Sequence, residues 1–266
     1  RVDFGRLFDD RPNEPRLHSL SLILERPSDE ADADVDFGMK FHLAVGSDLR
    51  YTHGLGLLDE VTNTSLHPDV VESWIAVRAP LGTASALELK LGSFASLCGL
   101  ESMDPTANWL YSRTYIFNFG VPFRHAGILA TLTASSWLSV SAGVVSGINT
   151  AMTDNNDALS FHGGASATLF GGDLSVSLGV LHGPENDTVT GRLPGVDPNH
   201  DSRTILDLVV KVRLAEKLTL AWDLNLGFDR APLGADHETP EWYGVAGYLV
   251  YQANEVVTLV LRGEVF

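Results

Sequence analysis

Charged and imidazole side chains recur at alternate positions along several segments of the chain. Lys40 and His42 stand two apart, as do Lys211 and Arg213, Asp223 and Asn225, and Arg262 and Glu264. On an extended strand that spacing puts each pair on one face. Glu72, Arg78, Glu88, Lys90, His125, His162 and Asp207 extend the set on other segments of the same kind. A row of mixed charge on one face cannot sit in a dry core unless each member finds a partner. It can line a water-filled passage, where facing charges set a transverse field and a size limit. For any single residue, a solvated or paired charge that stiffens the wall is the simpler reading.

Other chemistry has little support. The chain holds no GxSxG and no HExxH. Its nine histidines are scattered and none pairs with a carboxylate at ligand spacing. A lipid-cleaving wall would need Ser and His side by side, and His18 and Ser73 fall on strands that are not neighbours. The stretch TDNND (153–157) has the oxygen-rich look of a calcium loop, but Asn and Asp are also ordinary turn formers. One cysteine, Cys98, excludes an internal disulfide and a cysteine-based zinc cage. No catalytic residue, metal ligand or cofactor is assigned. A formal net charge of −16 argues against nucleic acid as a partner.

The elements that must position these residues are strands. In VDFGMKFHLAVG (35–46), Phe37, Met39, Phe41, Leu43 and Val45 share one face, and Gly38, Lys40, His42, Ala44 and Gly46 the other. LTLAWDLNLGF and ILDLVVKVRL alternate in the same way, and LSVSAGV and LSVSLGV set apolar residues against Ser and Gly. Small polar residues on the second face suit a crowded or wet interior. The pattern predicts twelve strands, near 17–26, 35–46, 70–78, 86–94, 124–133, 137–147, 158–170, 173–182, 203–214, 217–228, 241–252 and 255–266. Their lengths are close to the roughly 9 to 11 residues of a tilted membrane-crossing strand. No apolar run reaches the ~18 to 20 residues of a spanning helix.

The links between strands alternate short and long. The long ones, 47–69, 95–123, 148–157, 183–202 and 229–240, carry −3, −1, −2, −3 and −2 in order, together −11 of the −16. Short turns on one side and long loops on the other are the order of an outer-membrane barrel; a soluble sandwich has no reason to keep it. The fold expected is therefore all-β, a transmembrane antiparallel β-barrel forming one domain over 1–266. The first strand then runs inward from the cell surface, and Phe266 falls in register with the inward residues. Both points lead to the expectation of a partial barrel, with one strand before residue 1 and one to three after residue 266, sixteen in all or, failing that, fourteen. Trp222, Phe228, Tyr243 and Tyr251 are expected in aromatic girdles. Leu220 should face lipid, and Asp223 on the other face should tolerate arginine.

Several stretches together resemble the putative β-barrel porin-2 (OmpL-like) family: LILERP (22–27), GSDLRYTHGLG (46–56), LGSFASLCGLES (91–102), ANWLYSRTYIFNFGVPFRHAG (107–127), TDNND, LHGPE (181–185), EWYGVAGYLVY (241–251) and LRGEVF (261–266). The resemblance covers nearly the whole chain. The chain departs from it by the cysteine and by its acidic balance. It implies a porin of the bacterial outer membrane, passing small hydrophilic solutes or ions by passive diffusion. Outer-membrane lipid and lipopolysaccharide would surround it, and acidic loops could bridge to lipopolysaccharide phosphates through divalent ions. The long apolar-rich link 95–123 is then expected to fold into the lumen and narrow it, with Glu101, Asp104, Arg113, Tyr115, Asn118 and Arg124 at the constriction. Arg113 and Arg124 are expected to face Glu101 and Asp104. The alternative is a barrel plugged by this loop or by another chain, with a structural or complex-forming role. A homo-oligomer, such as the trimer common among general porins, would use weakly apolar outward positions such as Ala126, Ala130, Gly163 and Ala165.

Overall fold

The computed structural model describes residues 5–11, 13–28, 34–61, 66–186, 196–230 and 239–266. Twelve strands form one sheet in strict sequence order, each antiparallel to the next. They are β1 (Leu20–Arg26), β2 (Asp36–Gly46), β3 (His67–Pro80), β4 (Ala86–Ala95), β5 (Arg124–Ser135), β6 (Leu138–Val145), β7 (Ser160–Leu169), β8 (Leu174–Pro184), β9 (Ser202–Ala215), β10 (Leu218–Asp229), β11 (Glu241–Gln252) and β12 (Thr258–Val265). β1 and β12 are the two edges of the sheet. Hairpin links between neighbours keep every pairing local, so each strand's backbone donors and acceptors are met by the strand beside it.

The two faces of the sheet differ as the alternation requires. On β2, Phe37, Met39, Phe41 and Leu43 are 61%, 54%, 41% and 38% exposed, whereas His42 is 5% exposed. The same side of the sheet exposes Ile75, Leu91, Ile128, Val144, Leu178, Leu224, Leu249 and Leu261. In a monomer surrounded by water, so continuous an apolar surface would be an association hazard. Its aromatic members gather toward the strand ends. Phe161 is the second residue of β7 and Tyr243 the third of β11, while Trp137, Phe170 and Tyr251 lie at or beside the short turns. Trp222 departs from the expected girdle: it lies inside β10, opposite Gly247 on β11.

Strand limits depart from the periodicity reading by one or two residues at most ends and by three at the starts of β1, β12 and β3. β1 begins at Leu20, β12 begins at Thr258, and β3 starts earlier, at His67. The last has an identifiable cause. The β2–β3 register shifts between His42 and Leu43, so that His42 pairs with Glu72 and Leu43 with Val70. The extra residue, Val71, is buried beside Ala44 and Leu49. Such a bulge breaks period two within a strand, and the alternation cannot be followed across it.

Residues 96–123, between β4 and β5, form no strand. They hold a short 3-10 turn at Pro105–Ala107 and one turn of π-helix at Ile116–Gly120, and they lie across the polar face of the sheet. Ile116, Val121 and Cys98 pack on Ala221, Ala246, Tyr248 and Val250 of β10 and β11. Two glycines give the segment its seat. A side chain at Gly179 would meet Cys98 Sγ at 2.7 Å, and one at Gly244 would meet Ile116 Cγ1 at 2.5 Å.

The facing assignment makes a direct prediction. Leu220→Arg, on the apolar face of β10, should lower the stability of the assembled sheet in a bilayer by about 2 to 4 kcal/mol. Thr219→Lys, one residue away on the polar face, should cost under ~1 kcal/mol. Urea titration of both variants in lipid vesicles, read as the fraction running folded on a gel, checks the difference.

Candidate functional site

All fifteen residues singled out by their alternation share the polar face of the sheet, because the registers carry that face continuously from Lys40 and His42 on β2 to Arg262 and Glu264 on β12. They divide into three neighbourhoods.

The first lies on β1 to β4. Lys40 Nζ is 2.8 Å from Glu72 and 3.8 Å from Glu25. Trp74 Nε1–H donates to Glu72 at 3.3 Å, and Lys90 Nζ stands 4.3 Å from the centre of the Trp74 ring. Arg78 is in register with Asp36 on one side and Glu88 on the other. His42 Nε2 lies 3.0 Å from Ser21 Oγ. Cation and anion alternate here without a buried charge left alone.

The second neighbourhood is covered by residues 96–101. His125 and His162 are fully buried, with ring centres 4.2 Å apart. Leu97 N–H donates to His162 Nε2 at 3.1 Å, Gly99 N–H to Asp207 at 2.7 Å, and Leu100 N–H to Asp223 at 3.0 Å. Asn225 donates to Asp207 at 2.9 Å and accepts from Trp242 Nε1–H at 3.0 Å. A segment with no strand neighbour must have its buried N–H groups satisfied somehow, and three strands, β7, β9 and β10, supply side-chain acceptors for it. Asp223 is therefore 1% exposed, and the tolerance of arginine expected there is overturned: a guanidinium would have no room under Leu100. Lys211 stays exposed beyond this cover, 5.7 Å from the Trp109 ring centre. Arg213 pairs with Asp173 at 2.6 Å near the short turns.

The third neighbourhood ties residues 101–118 to β11 and β12. Glu101 accepts from Thr114 N–H at 2.7 Å, Tyr248 O–H at 3.0 Å and Arg262 at 3.2 Å. Glu264 accepts from Tyr115 N–H at 2.8 Å and pairs with Arg6 at 2.6 Å. The Arg6 guanidinium lies 4.7 Å over the Tyr115 ring. Asn118 donates to Thr114 O at 2.6 Å and accepts from Leu7 N–H at 3.0 Å. Arg113 is 3% exposed and stacks 4.9 Å from Phe117; burial pushes its pKa down, against the pull of Glu101 and Asp48. Asp104 turns its carboxylate to Thr106 N–H at 2.9 Å and so caps the 3-10 turn.

One expected pairing is replaced. Arg124 does not face Glu101 and Asp104. It is fully buried at the start of β5, bonded to Asp69 and to the carbonyls of Thr52, Val70 and Val71. Its carbonyl partners lie at the β3 bulge and in the β2–β3 link, elements whose approach no local pattern encodes. Arg262 takes its place opposite Glu101. The stretch TDNND spends its side chains on turns, with Asp154 accepting from Asn156 N–H at 3.1 Å and Asn156 from Ala158 N–H at 2.8 Å. Among the described residues no group of three His, Cys, Asp or Glu side chains is placed to hold a metal ion.

The stacked histidines and the acceptor role of Asp207 and Asp223 were not read from sequence. The Ser and Gly residues opposite the apolar series on β6 to β8 were the available signal, since Gly179 is where Cys98 and Leu97 rest. Residues 1–266 match the family model described as putative beta-barrel porin-2, OmpL-like. No curated protein matches the chain.

Two outcomes follow from these contacts. Glu101→Ala leaves Arg262, 7% exposed at its side chain, with only Glu264 at 3.6 Å as a carboxylate partner, and should destabilise the fold by about 1 to 3 kcal/mol, with Glu101→Met plus Arg262→Met recovering part of the loss in denaturant titrations. Glu185, in the β8–β9 link, accepts from Ser160 at 2.6 Å and Ile148 N–H at 2.8 Å; burial pushes its carboxyl up from the ordinary value. The folded state then holds this proton to higher pH than the unfolded chain does. Its stabilising effect is complete below the unfolded value and is lost as pH rises through the folded one. The difference in unfolding temperature between the wild type and Glu185→Gln should therefore change in favour of the variant as pH rises from about 4.5 toward neutrality.

Proposed function

The chain belongs to the putative beta-barrel porin-2, OmpL-like family, a porin family and not an enzyme family, and on that premise we propose that it is a porin of the bacterial outer membrane, passing small hydrophilic solutes or ions down their gradient. The observation that carries this reading is the division of one sheet into an exposed apolar face and a charged, partly covered face. In the membrane the apolar face meets lipid and the polar face encloses a lumen. Twelve strands give most of a barrel wall; sixteen strands would close it, with fourteen as the smaller alternative.

Residues 95–123 are the loop that narrows the lumen. They stand against β7 to β12, touch β2 and β3 through Met103, and leave the charges of β1 to β4 bordering the passage. Lys40, Glu72, Arg78, Glu88 and Lys90 then form one wall, and the loop with Lys211 the other. The acidic long links form the outer rim, which draws cations and, through divalent ions, the phosphates of lipopolysaccharide. No cofactor is needed, since the solute gradient supplies the driving force. A homo-oligomer or a larger membrane complex would use the small outward side chains of β5 to β7, among them Ala126, Ala130 and Ala165.

A second reading is a plugged barrel that binds a partner, and the close seating of the loop on Gly179 and Gly244 favours it. Single-channel recording separates the two. Discrete conductance steps in a planar bilayer support the porin, and silence from demonstrably inserted protein supports the plug. Lys211 is exposed on the polar face, so Lys211→Glu should move the zero-current potential in a salt gradient toward cation preference and leave assembly unchanged.

A further inference from the structure

The first turn of the loop rests on two imidazole rings, and its geometry fixes the protonation of one of them. His162 Nδ1 lies 3.0 Å from the Val180 carbonyl, which can only accept, so Nδ1 carries a proton. Its Nε2 accepts from Leu97 N–H at 3.1 Å, so that nitrogen carries none. His125 lies beside it. Its Nδ1 donates to the Gly147 carbonyl at 2.8 Å, and its Nε2 lies 3.3 Å from Ser96 Oγ, which itself accepts from Cys98 N–H at 3.2 Å and can either donate to that nitrogen or accept from it. The His162 imidazole is neutral when these contacts are made. A second proton on His162 would set two N–H groups against each other at Leu97.

The surroundings offer a second proton no compensation. Phe94 of β4, Val145 of β6, Leu181 of β8, Ile205 of β9 and Leu97 form an apolar cluster around the stacked rings. The titratable and charged neighbours are engaged elsewhere or uncharged. Asp207 of β9 takes Gly99 N–H, Glu185 takes Ile148 N–H beyond Gly147, and Arg124, next in β5, pairs with Asp69. The Cys98 thiol on the loop is held neutral, because burial pushes its pKa up. Among the described residues no carboxylate hydrogen-bonds to either ring.

We propose that the His125–His162 pair is an acid-sensitive latch for residues 96–98, which holds the start of the loop on the wall while His162 is neutral and releases it when His162 takes up a proton. The proposal rests on reading residues 95–123 as the loop that narrows the passage, and it adds regulation to that site. Released from β7, the start of the loop swings on its remaining ties at Asp207, Asp223, Glu101 and Glu264, and the passage changes width. Histidine is the side chain whose charge changes in the range where an acidified outside medium would act.

Hydrogen exchange of the whole chain in lipid nanodiscs tests the latch without requiring conduction. Protection of residues 97 and 98, corrected for intrinsic rates, should fall at least about tenfold between pH of about 7.5 and about 5. Protection of residues 113–118, tied through Glu101 and Glu264, should hold. His162→Gln keeps an acceptor for Leu97 N–H and a donor for the Val180 carbonyl but cannot titrate, so its protection should be independent of pH. Equal wild-type protection at both pH values, or the same fall in His162→Gln, would overturn the proposal. Should the variant fail to assemble, the contrast between the two segments in the wild type decides alone, a uniform fall counting against the latch. A protein that never conducts yet shows the local fall would refute the channel and keep the latch, and a conducting protein with pH-independent protection would do the reverse.

Discussion

A sheet one residue thick that separates two unlike surroundings must satisfy all of its backbone hydrogen bonds within itself, and its side chains must divide strictly between the two faces. Everything else in this structure depends on that constraint. Sequential antiparallel pairing meets the backbone requirement with the shortest links. Period two meets the side-chain requirement, and a slip of one residue would exchange the faces. The register from β2 to β12 holds the division even where β2 meets the β3 bulge, which absorbs one residue by burying Val71.

The second level of organisation is the segment between β4 and β5. It crosses a face of acceptors and small residues with almost no backbone partner of its own. Its N–H groups at 97, 99, 100, 114 and 115 find His162, Asp207, Asp223, Glu101 and Glu264. These bonds substitute for the strand neighbour the segment lacks, and most join residues far apart in sequence. The polar face thus does two things at once. On β1 to β4 its charges pair with one another. On β7 to β12 most are consumed in fastening the loop, Lys211 and Arg213 excepted.

The division between faces was legible because it is periodic. Alternation in VDFGMKFHLAVG and LTLAWDLNLGF assigns each residue to a face without knowledge of any partner, and the links announced themselves by their lengths. The loop's position on the polar face could be anticipated from its apolar load, Trp109, Tyr115, Ile116, Phe117 and Phe119 among them. Its individual contacts could not. Arg124 lies next to the loop in sequence, yet its guanidinium belongs to Asp69 and the β3 bulge, and Arg262, far along the chain, takes the carboxylate of Glu101. Asp207 and Asp223 look like exposed wall charges by alternation and are buried because the loop covers them. Such contacts depend on where a non-periodic segment comes to rest, which a one-dimensional pattern does not carry.

The central claim is that Phe37, Met39, Phe41 and Leu43 meet lipid while Gly38, Lys40, His42 and Ala44 face the other side of the sheet. Spin labels placed one at a time from residue 37 to residue 44, in protein reconstituted into bilayers, measure this directly through their contact with oxygen and with a water-soluble nickel complex. Oxygen contact should peak at 37, 39, 41 and 43 and fall at 38, 40, 42 and 44, in strict alternation, with nickel contact low at the four lipid-facing positions. Nickel contact at every position, or a profile without period two, would contradict the account.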